Sequence, residues 1–416
     1  MKKAAFILAI SIMAACCLVV WDATKDTVLK EEALPIQSTQ TEEESLEAEP
    51  VVYVDEPQSE TETDSTSDKE LDEDELLLRK QEGNYAFSRL TDSGKKVYVE
   101  ILNAMLSFQT DAEVSTQSTE TLDKVFQCVM MDHPEIFYVD GYKYTKYSAG
   151  DKIKKLTFSG NYTYGKEEAD ARMQQINTAV EPIINGIATD ASDYEKVKYV
   201  YETIVNQTEY VLNALDNQNI CSVFLGHQSV CQGYAKSMQY LLNQMDVPTT
   251  LVVGTVKEGE GHAWNLVLID GAYYYVDPTW GDAYYLLSSQ DRENTSGETP
   301  SINYDYLCVT TQQIEETHTI NSVVDMPLCS SMQANYYVME GAYFTSYDET
   351  KIESVFAKAK EQQKEAVTLK CATKEIYDEM LTELITNQRV FQFFTDSKGS
   401  IAYTTCEEQT SISFWL

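Results

Sequence analysis

The stretch "HAWNLVLIDGAYYYVDPTW", His262 to Trp280, decides how the centre of this chain folds. Apolar residues alternate on both sides of Asp270-Gly271, and an Asp-Gly pair between two such runs is the strongest short-range hairpin signal. If those two residues form the whole loop, Ile269 faces Ala272, Trp264 faces Asp277 and His262 faces Thr279. Asp277 then becomes a diagonal neighbour of His262 on the same face. Such neighbours lie about 7–8 Å apart at the backbone, within reach of a His–carboxylate hydrogen bond. A change of one residue in loop length would turn Asp277 to the opposite face. Asp277 precedes Pro278, which also suits the start of a turn, and the two roles are compatible. Trp264 and Trp280 read as core or pocket walls. Asn265 points away from His262 on an alternating strand and reads as structural.

Upstream lies "SVCQGYAKSMQYLLNQ", Ser229 to Gln244. Tyr234, Ala235, Met238, Leu241, Leu242 and Met245 recur at the spacing of one helical face, and Cys231 opens the same stripe. The sequence reading leaves three roles for Cys231: small core residue, half of a disulfide, or nucleophile. Helix N-termini favour negative charge and hence a thiolate, the nucleophilic form. A thiol nucleophile also needs an acid–base partner, and the chain holds only four histidines. Of these His262 is the candidate, while His133, His227 and His318 read as structural or surface residues. Sequence spacing alone does not place Cys231 against His262.

The two blocks in this order, "SVCQGYAKSMQYLLNQMDVP" and then "HAWNLVLIDGAYYYVDPTW", resemble the transglutaminase-like superfamily. The closest likeness is to bacterial cell-surface members with a CxGYA…HAWN…DxTW signature. The motif-bearing part runs from about Gly226 to Gly281, and the helix from Asp193 and "INYDYLCV" extend it to about Val309. The resemblance implies a papain-like α+β core, with a helix bearing Cys231 packed on an antiparallel sheet bearing His262 and Asp277. It implies that Cys231 is the nucleophile, His262 the general acid and base, and Asp277 the residue that orients the imidazole. The oxyanion is expected on the backbone N–H of Cys231 and a second donor, for which Gln228 is a candidate. The implied reaction is acyl transfer through a thioester, with no metal or organic cofactor. Water as acceptor gives peptidase or amidase activity, and an amine gives transamidation, on a protein, peptide or cell-wall peptide substrate. Cross-linking transglutaminases carry tryptophan directly after the cysteine. Gln232 stands there instead, as in the wider family of peptidases and peptide:N-glycanase-type amidases. The competing reading is a binding module that keeps the fold without turnover.

Around this core the chain changes character. "MKKAAFILAISIMAACC" has two lysines, an apolar run and small residues before Cys16, the three-part pattern of a secretory signal. Met13-Ala14-Ala15-Cys16 resembles a lipobox, which predicts a lipoprotein anchored at Cys16 on the extracellular face of the membrane. Plain secretion or a signal anchor from Ala4 to Trp21 are the alternatives. The net charge is −36, about half of it between Asp22 and Glu75. A chain this acidic is repelled by phosphate backbones, which argues against a nucleic-acid partner. Membrane contact is expected only through the N-terminal anchor. The acidic stretch lacks apolar periodicity and predicts a disordered linker. It carries no EF-hand loop pattern.

Nine cysteines are present without any C-x-x-C pair, which argues against zinc. Cys128, Cys221, Cys308, Cys329, Cys371 and Cys406 could pair if Cys231 is free. The expected organisation is a signal peptide over 1–15, an acidic linker over 16–75 and an N-terminal α+β domain over 76–187. The catalytic domain follows over 188–325 and a C-terminal α+β domain over 326–416. In the N-terminal domain "IFYVDGYKYTKY" reads as two short strands around Asp140-Gly141, and Pro182 predicts a break in the helix that carries it. In the C-terminal domain "ANYYVMEGAYFTSY" reads as hairpin-like.

Overall fold

The computed structural model describes residues 42–44, 73–149, 152–256, 259–282, 302–394 and 401–416. The expected signal peptide and Cys16 lie outside the described residues, as does most of the acidic stretch. Within that stretch, however, Glu42–Glu44 forms a strand, β1, so the segment is not linker throughout. No helix among the described residues is long and apolar enough to cross a membrane. The chain divides into two compact units, the first ending at residue 173 and including 323–325, the second holding 174–322 and 326–416. The division falls inside a helix rather than at 187, and residues 326–416 belong to the same unit as the expected catalytic domain.

The first unit builds a sheet of order β1-β3-β4-β2 from β2 (Ala112–Val114), β3 (Val139–Ala149) and β4 (Lys152–Tyr162) with β1. Helices α1 (Glu73–Lys80), α2 (Asp92–Leu106) and α3 (Thr119–Asp132) accompany it, with a short helix at Tyr85–Ser88. Thr91 and Ser118 accept from Gly94 N and Thr121 N and so cap α2 and α3, satisfying orphan donors of the first turn. Asp140-Gly141 does not turn the chain. β3 runs through it with a register shift between Val139 and Gly141, a bulge that absorbs one residue without ending the strand.

The second unit begins within α4 (Lys166–Ile184), which runs through Pro182 and ends two residues later, where few intrahelical bonds remain to lose. α5 (Asp193–Gln207) opens with a reciprocal Ser192–Glu195 capping box and buries Val197, Val200, Tyr201, Ile204 and Val205. β5 (Glu209–Tyr210) and β6 (Gln228–Ser229) form a short parallel pair, and α6 (Cys231–Gln244) follows directly. α6 is buried on almost every side, including Gln232, Lys236, Ser237 and Gln239. Its single apolar stripe understates this, because α5, the short helix Ile220–Phe224 and the sheet all pack on it.

That sheet has order β10-β7-β8-β9, antiparallel throughout, from β7 (Thr249–Val256), β8 (Gly261–Ile269), β9 (Ala272–Val276) and β10 (His318–Ile320). The β8–β9 register is the expected one, from Ile269–Ala272 to Asn265–Val276. Asp270 and Gly271 both have positive φ, 49° and 80°, as a two-residue turn matched to strand twist requires. Pairing stops at Val276. His262 does not face Thr279, because Pro278 has no N–H for a ladder and the chain turns into the helical turn Pro278–Gly281.

Residues 326–416 add a second sheet, β11-β12-β14-β13, from β11 (Tyr343–Phe344), β12 (Ala366–Cys371), β13 (Tyr403–Cys406) and β14 (Ser411–Trp415). α7 (Glu349–Glu361) and α8 (Lys374–Leu381) close its core around Phe356, Leu369, Met380, Ile412 and Phe414. The expected hairpin at Ala334–Tyr347 is absent. Asn335 caps a helical turn at Tyr336–Met339 instead, and β11 pairs parallel to β12.

Candidate active site

Cys231 is the first residue of α6, and its N-cap, Val230, provides no side-chain bond to the helix terminus. The first intrahelical bonds run from Gly233 N and Tyr234 N to Val230 O. The N-cap side chain therefore takes none of the first-turn N–H groups at the end where the thiol stands. Cys231 packs with Ala235, Leu251 and Ala263, which seats α6 on β7 and β8. Asn265, one strand position beyond Trp264, donates from Nδ2 to Ala235 O at 2.9 Å and fastens the same two elements. Its structural assignment agrees with this contact.

The consequence is that Cys231, His262 and Asp277 come together. Cys231 stands close enough to the His262 ring to raise its affinity for a proton. His262 Nε2 lies 2.8 Å from Asp277 Oδ2. Since Nε2 is turned to the carboxylate, Nδ1 is the ring nitrogen left for the thiol. Asp277 also starts the turn, as its place before Pro278 suggested: its Oδ1 accepts from Thr279 N at 2.8 Å and Trp280 N at 3.2 Å. The carboxylate is fully buried. Burial alone would raise it, but His262, followed by His318, reverses this and holds it well below the usual carboxylate range.

His318 was read from sequence as structural or surface, and the structure places it in the site. Its Nε2 lies 3.1 Å from the same Asp277 Oδ2. Sequence offered little signal for it: it lies 41 residues beyond Asp277, in a three-residue strand at the sheet edge opposite β9. Trp264 and Trp280 wall both imidazoles. Trp264 lies 5.9 Å from His262 and 4.9 Å from His318, and Trp280 lies 6.2 Å and 4.8 Å from them, centroid to centroid. His133 bonds Glu135 and Gln81 in the first unit, and His227 sits at positive φ beside β6; neither is near the site's residues in role. Gln228 Nε2 donates to Glu209 Oε2 at 3.1 Å on an exposed surface, so its amide is engaged by a carboxylate here.

The ligand-bearing atoms of His262, Asp277 and His318 lie within 4.8 Å of one another, a composition that also holds metal ions. In this arrangement both Nε2 atoms point at one oxygen, and the other oxygen is taken by two amides, so hydrogen bonding accounts for every group. The seven described cysteines form no disulfide, contrary to the pairing that an extracellular context allows. Cys128, Cys221, Cys308, Cys329 and Cys371 are buried, and burial pushes the thiols of Cys128, Cys308, Cys329 and Cys371 up, that of Cys371 to about 12.

Comparison with known proteins meets this geometry at the same residues. The family model described as Transglutaminase-like superfamily matches residues 181–278, a span that contains Cys231, His262 and Asp277. The kyphoscoliosis peptidase of Mus musculus is 24% identical over 135 residues, 28% of this chain and 20% of its own length. The chain thus spans about a fifth of the curated relative that it matches. Among solved structures, a transglutaminase covers 33% of this chain and 50% of its own at 16% identity, with a TM-score of 0.25. A proposed cysteine protease from Cytophaga hutchinsonii covers 33% of this chain and 61% of its own at 13% identity, with a TM-score of 0.22. Residues 181–278 of this α+β chain thus match the transglutaminase-like superfamily model, over the span that holds Cys231, His262 and Asp277.

Proposed function

We propose that the protein is a thiol-dependent acyl-transfer enzyme of the cell surface that acts on amide bonds. The observation that carries this reading is Cys231 at the start of a helix beside His262, whose ring is hydrogen-bonded to the Asp277 carboxylate at 2.8 Å. The thiol proton passes to His262 Nδ1, and the thiolate sulfur attacks the acyl carbon. The amide C–N bond then breaks, His262 returns the proton to the leaving amine, and a thioester on Cys231 remains. Water or a second amine gives its proton to His262 and attacks the thioester, which releases the acid or the new amide and restores the thiol. Asp277 keeps the ring in the tautomer with Nε2–H throughout, and stabilises the imidazolium. The Cys231 N–H is one donor for the oxyanion. Nothing in these steps needs a cofactor.

The substrate is a protein, peptide or cell-wall peptide, reached from a lipid anchor at Cys16. Gln232 after the nucleophile favours hydrolysis or small-scale transamidation over protein cross-linking. Cys231 is only 3% exposed, and this one feature favours the alternative of a binding module that retains the site without turnover. Incubation with peptide and cell-wall libraries, followed by mass spectrometry, separates the two. Products or an acyl adduct that vanish with Cys231→Ala support the enzyme; retention of ligands with no mass change in any of them supports the module.

A further inference from the structure

The Asp277 oxygen that His262 uses is not exclusive to it. His318 is buried, and its Nε2 approaches that oxygen at 3.1 Å. An ionised carboxylate only accepts, so each ring presents Nε2–H to it. The opposite nitrogen of His318, Nδ1, lies 2.8 Å from Thr317 Oγ1. Tyr306, whose ring stands 5.7 Å from that of His318, presents its hydroxyl to Gln409. Gln409 Nε2 donates to that hydroxyl at 3.1 Å, and Lys370 Nζ donates to Gln409 Oε1 at 3.0 Å. Lys370 is itself held by Asp305 at 3.1 Å. Thr317 Oγ1 has a second neighbour, Ile314 O, at 3.5 Å. A neutral His318 that presents Nε2–H to Asp277 has a bare Nδ1, which accepts the Thr317 hydroxyl proton.

We propose that His318 is the fourth residue of the site, a positioning residue that shares the Asp277 carboxylate with His262, and that Thr317 fixes its tautomer. The proposal rests on the triad reading above. The physical effect is on charge. A second donor spreads the carboxylate's negative charge over two bonds, so Asp277 draws less strongly on the His262 proton. The imidazolium of His262 then stays acidic enough to release that proton to a leaving amine. The charged and titratable groups facing these rings are Asp277 from the turn after β9, Cys231 from α6 and Tyr306, with Asp305 and Lys370 behind them. Burial dominates at His318 and lowers its affinity for a second proton.

The test is histidine-selective nitrogen and proton NMR on the full chain, from pH 5 to pH 10, with iodoacetamide alkylation of Cys231 followed in the same samples. In the wild type His318 should show Nε2–H and a bare Nδ1. His318→Leu should move the His262 Nε2–H resonance downfield and raise the proton affinity of His262 roughly tenfold, the effect of about one charge-assisted hydrogen bond. His318→Gln, whose amide can donate to Asp277, should return both to near the wild-type values; a merely space-filling role would not be restored this way. Wild-type His318 carrying its hydrogen on Nδ1 overturns the proposal, even if His318→Leu fails to fold. So does a folded His318→Leu protein with an unchanged His262 signal. Alkylation that is the same with and without Cys231 removes the triad reading and this proposal together; Cys231-dependent alkylation with an insensitive His262 removes this proposal alone.

Discussion

His262 and His318 aim their Nε2 atoms at one oxygen of Asp277, at 2.8 and 3.1 Å, with both rings and the carboxylate buried. One carboxylate balances one imidazolium, and the surroundings decide which ring carries the charge. Burial opposes charge on both rings. At His262 the attraction of Asp277 and then of Cys231 overcomes it, and the ring holds its proton well above the usual histidine range. At His318 burial prevails and the affinity is lowered.

The two rings should therefore titrate apart. Nitrogen chemical shifts are expected to show His262 protonated through pH 8 and His318 neutral from about pH 6.5 upwards. The sign for stability follows. A group whose folded affinity is raised contributes fully below its unfolded value, near pH 6.5, and the contribution is lost as pH rises through the folded value. Melting of the second unit should weaken on the alkaline side, and His262→Gln should flatten that slope. Two rings titrating together near pH 6.5 would contradict the shared-carboxylate description.

Asp277→Asn separates the turn from the chemistry. The Asn carbonyl can still accept from Thr279 N and Trp280 N, so the helical turn should survive. Its amide then faces two imidazoles with hydrogens of its own, and His262 must present a bare Nε2 and place its hydrogen on Nδ1, where the thiol proton has to go. A cooperative melt should persist while Cys231 acylation falls by orders of magnitude; the same change in a serine protease triad costs about 10⁴ in turnover. A folded variant with unaltered acylation would leave Asp277 as a turn former only.

Gly233 follows the nucleophile by two residues, and its lack of a side chain has a steric cause. A Cβ there would lie 1.9 Å from Ser229 Oγ and 2.8 Å from Ser222 Oγ, hydroxyls that are themselves 2.6 Å apart, and 3.0 Å from Asn217 O. Gly233→Ala must push this buried pair aside. Overpacking of this kind costs about 1–3 kcal/mol, which denaturant unfolding of the variant resolves. A change below about 0.5 kcal/mol, within the range of an exposed substitution, would show that the α6 terminus is looser than described.

Much of this arrangement is legible in the residues themselves. Asp270-Gly271 specifies a two-residue loop, and alternation then leaves one register that buries both strands, so the His262–Asp277 pair follows from the chain alone. The Ser192–Glu195 box announces α5 in the same way. What sequence could not supply was any contact without a local rule. Cys231 meets His262 only because Asn265 and Ala263 hold α6 on β8. His318 reaches Asp277 because β10 pairs with β7, with His318 opposite Val256, and no periodicity joins two strands so far apart in the chain. Asp140-Gly141 misled for a related reason. The dipeptide favours a turn, but a long pairing with β4 holds the chain extended and converts the preference into a bulge. At Asn335 a capping side chain outweighed the strand preference of Tyr336 and Tyr337.

The most direct test of the central claim, that Cys231 is a nucleophile served by His262, is the rate at which each cysteine reacts with iodoacetamide in the native protein at pH 7. Peptide mass spectrometry reads every site at once. Cys406 is more exposed than Cys231 and supplies the internal comparison. The triad predicts that Cys231 reacts at least about tenfold faster than Cys406 despite its burial, and that His262→Gln removes the advantage while the protein stays folded. A Cys231 that reacts no faster than Cys406, or whose rate is indifferent to His262, would contradict the account.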